Sequence, residues 1–235
     1  MLLRAVFAAS LVTAALTPLT ALAASRSYDL PAFEEVSVSS GIDAVIDVGG
    51  SQSVSAESAT DAMLDRLDVV VHGKRLDISV QWNPLDWLFR SSSPIVFHIA
   101  APRLTTVESS AGANVDAHGM TGDTLAINAS SGAQLSADSV SGSFVTLNSS
   151  SGASLRVVGT CSKLIANSSS GASITARELA CADANADSSS GARADVRASA
   201  SVNANASTGG SITVYGHPAK TNANSSVGGS VNYAD

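Results

Sequence analysis

The chain has 235 residues, a formal net charge of −7 and an aromatic content of 4%, with Ser, Ala, Gly and Asn dominant. The acidic balance argues against nucleic acid and anionic membrane surfaces as partners, because both repel a negatively charged protein. Polar bias of this kind is typical of a disordered chain unless a regular apolar repeat is present. The chain carries such a repeat, so we expect a folded protein.

The first 23 residues have the pattern of a secretory signal peptide. Residues 5–16 are apolar, and Ala21-Leu22-Ala23 is the small-x-small sequence that precedes cleavage. A transmembrane anchor is the alternative, but the apolar run is short and Pro18 follows it closely. We therefore predict cleavage after residue 23 and an exported protein, periplasmic or at the cell surface or secreted. No membrane span is predicted in the mature chain.

Residues 30–108 predict a less regular β region with one helix. Residues 36–48 alternate between apolar and polar, which indicates one or two strands around Gly41. Residues 58–67 form the helix candidate, with a start at Ser58. Residues 67–80 predict two strands joined by a tight turn at 72–74, and residues 94–102 predict another strand. These early elements could cap a solenoid, whose open end needs protection against edge pairing.

An aromatic-rich loop lies between these strands. Trp82, Trp87 and Phe89 fall within ten residues of an otherwise aromatic-poor chain. One interpretation is an exposed binding patch. The other, which we favour, is that the three rings pack over the end of the solenoid.

The second half of the chain repeats a Ser-Ser-Gly-Ala motif at intervals of 18 to 20 residues. The anchoring glycines are Gly112, Gly132, Gly152, Gly171, Gly191, Gly209 and Gly228. An eighth copy lies upstream, around Gly41. A period of this length is typical of solenoids, in which each coil buries its apolar face against the next.

Apolar residues keep fixed positions relative to these glycines. One follows each glycine by three residues, and a pair precedes it by seven and five residues, as Val145 and Leu147 precede Gly152. Apolar residues two apart indicate a strand with one buried face, so each repeat predicts two short strands separated by turns. We predict an all-β fold, a β-solenoid of the right-handed parallel β-helix type with coils of about 20 residues. Residues 24–235 form one domain, with regular coils from about residue 108.

A polar column lies four residues before each glycine. Its members are Asn128, Asn148, Asn167, Asp187, Asn205 and Asn224. Stacked Asn side chains can hydrogen-bond along a solenoid as they do in cross-β ladders, and we favour this structural role. The alternative is an exposed polar face that binds a glycan.

The two cysteines share a position in successive repeats. Cys161 lies ten residues before Gly171, and Cys181 lies ten residues before Gly191. Neighbouring strands lie about 4.8 Å apart, within the separation that a disulfide can bridge. In an oxidising compartment we expect a Cys161–Cys181 disulfide. Two stacked core thiols are the alternative.

The sequence contains no recognised catalytic, metal or cofactor motif. His72, His98, His118 and His217 lack metal-ligand spacing, and no nucleophile elbow or phosphate loop occurs. The repeated serines suit turn formation rather than nucleophilic catalysis. We predict a non-catalytic protein with no cofactor, no metal site and no catalytic residues. A carbohydrate-active β-helix enzyme, a glycan lyase or hydrolase with an unrecognised site, is the alternative.

An ordered set of segments carries a family resemblance. F-E-E-V-S-V-S-S-G-I-D-A-V-I from Phe33, V-V-V-H-G-K-R-L-D-I-S-V from Val69 and A-P-R-L-T-T-V-E-S-S-A-G-A from Ala101 precede the repeats, which end at S-I-T-V-Y-G-H-P from Ser211. Over residues 33–218 the chain resembles the bacterial family of unknown function labelled putative auto-transporter adhesin, head GIN domain. The resemblance implies a β-helix-like fold and an envelope or exported location. We therefore predict a binding or adhesion scaffold whose partner is a glycan or an envelope protein.

Overall fold

The computed structural model describes residues 24–81 and 94–235. The N-terminal strands are β1 (Ala24–Tyr28), β2 (Glu35–Val38), β3 (Asp43–Val48), β4 (Ser53–Ser58), β5 (Leu67–His72), β6 (Arg75–Val80) and β7 (Val96–Ala101). The later strands are β8 (Thr106–Ser109), β9 (Asn114–His118), β10 (Thr121–Ala129), β11 (Gln134–Ser149), β12 (Ser154–Ser168), β13 (Ser173–Ser188), β14 (Arg193–Ala206), β15 (Ser211–Tyr215), β16 (Lys220–Ser225) and β17 (Ser230–Ala234). The helix described is α1 (Asp61–Leu64). The predicted signal peptide and the loop with Trp82, Trp87 and Phe89 lie outside the described residues.

Successive coils stack in parallel and in register, which confirms the predicted β-solenoid. One inward column runs through Leu76, Val36, Val107, Ile127, Leu147, Ala166, Ala186, Ala204 and Ala223. A second runs through Phe97, Ala44, Val115, Leu135, Leu155, Ile174, Ala194, Ile212 and Val231. Each side chain covers its counterpart in the next coil, so a continuous core forms that no single coil could bury. The first column narrows from leucine to alanine after Leu147, so the later coils bury less apolar area.

The strands are longer than the two short strands per repeat that the sequence predicts. β11, β12 and β13 each run unbroken for 15 or 16 residues, from one Ser-Gly turn to the next. The pairing continues between the two apolar segments, where Ser141 lies opposite Thr160 and Gly142 opposite Cys161. The strands with the two apolar segments form two faces of each coil. The residues between these segments also pair with the next coil, so they form a third, short face.

The Ser-Ser-Gly-Ala segment forms a tight turn that stacks on its copies. The amide of Ala133 donates to the carbonyl of Ser130 at 3.1 Å, and Ser131 and Gly132 have φ values of 53° and 73°. Positive φ at both central positions is a requirement of type I′ turns. The amide of Gly132 also donates to the carbonyl of Ser151 in the next coil at 3.0 Å. Both the glycine and the residue before it therefore depart from ordinary strand geometry.

The coil around Gly41 stacks directly under the first regular coil. β2 pairs with β8 and β3 pairs with β9, both in parallel. The amide of Gly41 donates to the carbonyl of Ala111 at 3.1 Å, as in the later turns. The upstream copy of the motif is thus part of the same stack, although a cap of about 60 residues separates the two in sequence.

Antiparallel strands cover the N-terminal end of the solenoid. β4 pairs antiparallel with β7, β1 with β4, and β5 with β6. The predicted hairpin over residues 67–80 is confirmed. The predicted helix is much shorter than residues 58–67, because Ser58 ends β4 and Leu67 begins β5. Leu64 of α1 is 1% exposed and packs on the core, while Arg26 of β1 donates to its carbonyl.

Candidate functional site

The Asn column lies on the outer side of the strands and forms a hydrogen-bonded ladder. Nδ2 of Asn148 donates to Oδ1 of Asn128 at 2.8 Å, and Nδ2 of Asn167 donates to Oδ1 of Asn148 at 2.9 Å. Nδ2 of Asn128 donates to Oε1 of Glu108 at 3.2 Å. Every amide donates toward the N-terminal end, so the ladder has a direction and an acidic first rung. Oε2 of Glu108 in turn accepts from Arg75 at 2.6 Å.

Asp187 divides the ladder into two runs. A carboxylate has no proton to donate, so Asp187 cannot continue the bond toward Asn167. It accepts from Asn205 at 2.8 Å, and Asn205 accepts from Asn224 at 3.0 Å. Two positions earlier in each coil a second, shorter ladder runs alongside. Its members are Asn185, Asn203 and Asn222, joined at 2.9 Å.

We predict that Asn148→Ala lowers the free energy of unfolding by about 1–2 kcal/mol, because it removes two partly buried hydrogen bonds. Asn224→Ala is the matched control, since this exposed terminal rung makes one ladder bond. Its expected cost is about 0.5 kcal/mol. Urea unfolding of both variants measures the difference. If both variants lost the same free energy of unfolding, the hydrogen bonds between rungs of the ladder would contribute nothing measurable to stability.

Cys161 and Cys181 are joined by a disulfide. Their Cα atoms lie 4.5 Å apart, and they are direct register partners in β12 and β13. Cys181 is 4% exposed, and Ala198 occupies the same position in the next coil. The bond therefore links two neighbouring coils across the short third face.

A shallow, open groove of about 890 Å³ lies on that third face. Thr121, Ser141 and Thr160 are stacked register partners along it and supply hydroxyl groups at the strand spacing. The remaining polar lining comes from Arg103, Thr105, Asp123, Thr124, Ser143 and Ser162. Gly122 and Gly142 form part of its floor. A Cβ on Gly142 would lie 3.2 Å from core atoms of Leu125 and Val145, so the backbone there rests directly on the core. Because a Cβ at either glycine would point into the core, the absence of one lets the backbone lie close to the core and lowers the floor of the groove.

Phe144 stands beside this hydroxyl groove. It is 52% exposed, and its register partners are Thr124 in one neighbouring coil and Lys163 in the other. Polar residues occupy this outward column in the later coils as well, with Asp183 opposite Lys163. Single exposed apolar residues are common on protein surfaces. The position of this ring beside the groove, rather than its exposure, is what favours contact with a partner. In the sequence, Phe144 is marked only as an aromatic residue in an otherwise polar column. The spacing of the repeats does not reveal that its ring is exposed.

Polar side chains continue from Phe144 toward the C-terminal end. Lys163, Asp183, Asn185, Asn203 and Lys220 line a second open depression of about 660 Å³ on the outer face of the ladder strands. The hydroxyl of Ser201 donates to the carboxylate of Asp183. The amide columns, the lysines and the aromatic ring thus form one extended surface beside the hydroxyl groove.

Shifted pKa values occur at the N-terminal cap, where Arg103 of the groove lining pairs with Glu34. The pKa of Glu34 is lowered because Lys74 and Arg103 both donate hydrogen bonds to its carboxylate. The pKa of Arg75 is raised by its bonds to Asp77 and Glu108, against the opposing effect of burial. Paired acids and bases of this kind hold strands together, and Glu34 and Arg103 also line a small open depression of about 370 Å³ beside the cap.

Within residues 24–81 and 94–235, no three His, Cys, Asp or Glu side chains come close enough together to hold a metal ion. Nor does this part of the chain include a helix with the length and apolar character to cross a membrane.

Comparisons with known proteins agree with the fold. No curated protein sequence matches the chain. A putative adhesin from Bacteroides fragilis is 16% identical, with a TM-score of 0.75 over 91% of this chain and 97% of that one. A putative adhesin from Parabacteroides merdae has a TM-score of 0.66 at 13% identity, over 92% and 98% of the two chains. A putative lipid binding protein from Parabacteroides distasonis has the same score at 15% identity and the same coverage.

These structures share the fold, and their low identity transfers nothing more. The family profile described as putative auto-transporter adhesin, head GIN domain, matches residues 32–218, nearly the same range as the sequence resemblance. The chain therefore belongs to the putative auto-transporter adhesin, head GIN domain family.

Proposed function

We propose that this protein is an exported, non-catalytic binding scaffold of the cell envelope, and that its ligand is an extended glycan. The observation that carries the proposal is the hydroxyl groove with Phe144 at its side. The names given to the family and to its structural neighbours, adhesin in most cases, support a binding role. The predicted signal peptide supports export, and the disulfide suits an oxidising compartment.

The chemistry of the groove favours a sugar polymer over other ligands. Hydroxyl groups of Thr121, Ser141 and Thr160 recur at the strand spacing of about 4.8 Å, which is close to the length of one pyranose unit in a linear chain. Hydroxyls can both donate to and accept from sugar hydroxyls. The ring of Phe144 offers an apolar face on which a sugar can stack. Glu34 balances the charge of Arg103, which leaves Asp123 as the remaining charge of the lining, so an acidic glycan would be repelled and we expect a neutral one.

An enzyme that cleaves glycans is the second candidate, and the groove argues against it. Glycoside hydrolysis uses two carboxyl groups that flank the scissile bond. Asp123 is the single acid in the groove lining. The described residues thus place one carboxylate where the common hydrolytic mechanism needs a pair.

A screen of neutral and acidic glycans and of envelope polymers, with product analysis on every ligand that binds, tests the proposed function. We expect binding of a neutral linear glycan without any change in its length. Depolymerised product would establish the enzyme instead. If the protein bound none of the glycans and envelope polymers in the screen, the scaffold proposal would be overturned.

Phe144→Ala tests the placement of the site. We expect affinity for a soluble oligosaccharide to fall about fivefold to tenfold, or about 1 kcal/mol, because aromatic residues are enriched among the contacts whose truncation costs most. Thermal stability should be unchanged, because the ring is half exposed. Tyr233→Ala is the matched control, as Tyr233 is also 52% exposed and lies in the last strand. Titration calorimetry with short oligosaccharides avoids avidity effects. Equal affinities for both variants would place the sugar elsewhere.

A further inference from the structure

The two ends of the solenoid are finished differently. Antiparallel strands and α1 cover the N-terminal end, and its inward side chains Leu64, Leu76 and Ile78 are at most 1% exposed. At the C-terminal end β16 pairs with β14 and β17 with β15, and no other described strand pairs with their outer edges. All six residues of β16 are exposed, including Ala223, although its counterpart Ala204 is fully buried.

The exposed C-terminal end carries apolar side chains. Tyr233 is 52% exposed, whereas its register partner Val214 in β15 is 1% exposed. Val227 is 78% exposed and has a φ of 49°. A β-branched residue in the left-handed region is strained. The same turn position holds Ala111, then Ser131, Ser151, Ser170 and Ser190, and then Thr208, which is also β-branched with a φ of 50°. Val227 differs from Thr208 in having no hydroxyl, so its exposed methyl groups favour an apolar contact.

We propose that the C-terminal end binds a second copy of this chain, through antiparallel pairing of the two β16 strands about a twofold axis. In such a dimer each surface meets an identical surface, so the surface must carry little net charge. The chain has a net charge of −7, yet residues 199–235 contain one Lys, one Asp and one His. Two copies that meet here avoid the repulsion that a like-charged surface would cause. A twofold axis also makes every contact reciprocal.

The register of β16 supports this pairing. A twofold axis at Ala223 places Ala223 opposite its own copy and Asn222 opposite Asn224 of the second chain. Asn222 and Asn224 each donate through Nδ2 to the preceding coil, as the other ladder amides do. An amide group has a second N–H, so facing amides can bond to each other across the axis. Ala223 then continues the first inward column across the interface, as coil stacking does within one chain.

The contact area is the cross-section of one coil, which is small for a protein interface. We therefore expect a dimer of micromolar affinity rather than an obligate one. Sedimentation equilibrium of the mature protein, over about a hundredfold range of concentration, measures the association directly. A chain that stays monomeric throughout that range would overturn the proposal.

Two variants test the location of the interface. Val227→Ser restores the residue of four earlier turns, so the thermal midpoint should not fall, while the dissociation constant should rise severalfold. Ala223→Lys places two ammonium groups opposite each other at the axis, and its dimerisation should weaken by more than about tenfold at low salt and partly recover at high salt. Val70→Ser is the matched control, because Val70 is 37% exposed on β5 at the opposite end.

A protected β14 core in hydrogen exchange shows that Ala223→Lys remains folded. Loss of association in the Val70→Ser control, or unchanged association in both C-terminal variants, would contradict this end as the interface. Glycan binding by Phe144 is measured separately, so failure of the dimer leaves the proposed function standing.

Discussion

Replacement of Gly159 by alanine is expected to lower the free energy of unfolding by about 4 kcal/mol or more, or to prevent folding. A Cβ at this position would lie 2.0 Å from the carbonyl oxygen of Val140 and 2.8 Å from its backbone nitrogen. These are backbone atoms of the neighbouring coil, so no side chain can move aside. The φ of Gly159 is 148°, in a region that residues with a side chain rarely adopt.

The cause of this tight approach is a difference in coil length. Gly132 and Gly152 are 20 residues apart, whereas Gly152 and Gly171 are 19 apart. The register shows where the residue is missing: Ala137 pairs with Val157, and the next pair is Val140 with Gly159. Two residues span in β12 what three span in β11. The shorter coil therefore takes a tighter bend at this point. Gly159, at the bend, lies directly against the backbone of Val140 in the longer coil.

Gly152→Ala is the matched control, because it separates the two reasons for a glycine, a close backbone contact and a positive φ. Gly152 has a φ of 72°, but a Cβ added there would meet no atom within 4 Å. Its substitution should therefore cost about 1–2 kcal/mol, the penalty for the left-handed conformation alone. Urea unfolding, read by circular dichroism, compares the two variants at equal m-value. Similar losses at both positions would show that the contact with Val140 relaxes easily.

The repeat predicted the coils, the inward columns and the Asn ladder because each depends on spacing alone. Gly112 to Gly228 set the period, and in-register stacking then determines which residues meet. Gly159 lies outside the glycine column, and its constraint arises from a contact with Val140 in another coil. Spacing likewise gives no sign that Glu108 and Arg75 end the ladder, since Arg75 comes from the cap.

The candidate site was less predictable than the fold. Binding surfaces depend on which outward residues are left exposed, and a repeat pattern chiefly reports what is buried. Phe144 has the same sequence offset as Lys163 in the next repeat, so its role as an exposed ring emerges only when the groove beside it is known. The predicted patch of Trp82, Trp87 and Phe89 stays a prediction, because it lies outside the described residues. The sequence predicted an unusual backbone conformation at the glycine of each Ser-Gly turn. The structure shows that the residue before each glycine has positive φ as well.

Loss of the Cys161–Cys181 disulfide is expected to lower the free energy of unfolding by about 3 kcal/mol. The bond closes a loop with a sequence separation of 20 residues, and the chain-entropy estimate for a loop of this size gives that value. Its position gives the bond a second consequence. The first inward column narrows to Ala166, Ala186 and Ala204 just where the disulfide links two coils. Little apolar area joins the C-terminal coils, so a covalent link there should limit their opening.

The double variant Cys161→Ala/Cys181→Ala tests both consequences without leaving a free thiol. Alanine is compatible with this column, since Ala198 occupies it in the next coil. Hydrogen exchange should show that β13 to β17 lose protection before β8 to β11, because opening proceeds coil by coil in a solenoid. Wild-type protein treated with a reducing agent is the control and should reproduce the variant. Uniform loss of protection along the chain would mean that the solenoid opens as one unit, whereas unchanged stability would mean that coil stacking alone holds the C-terminal half.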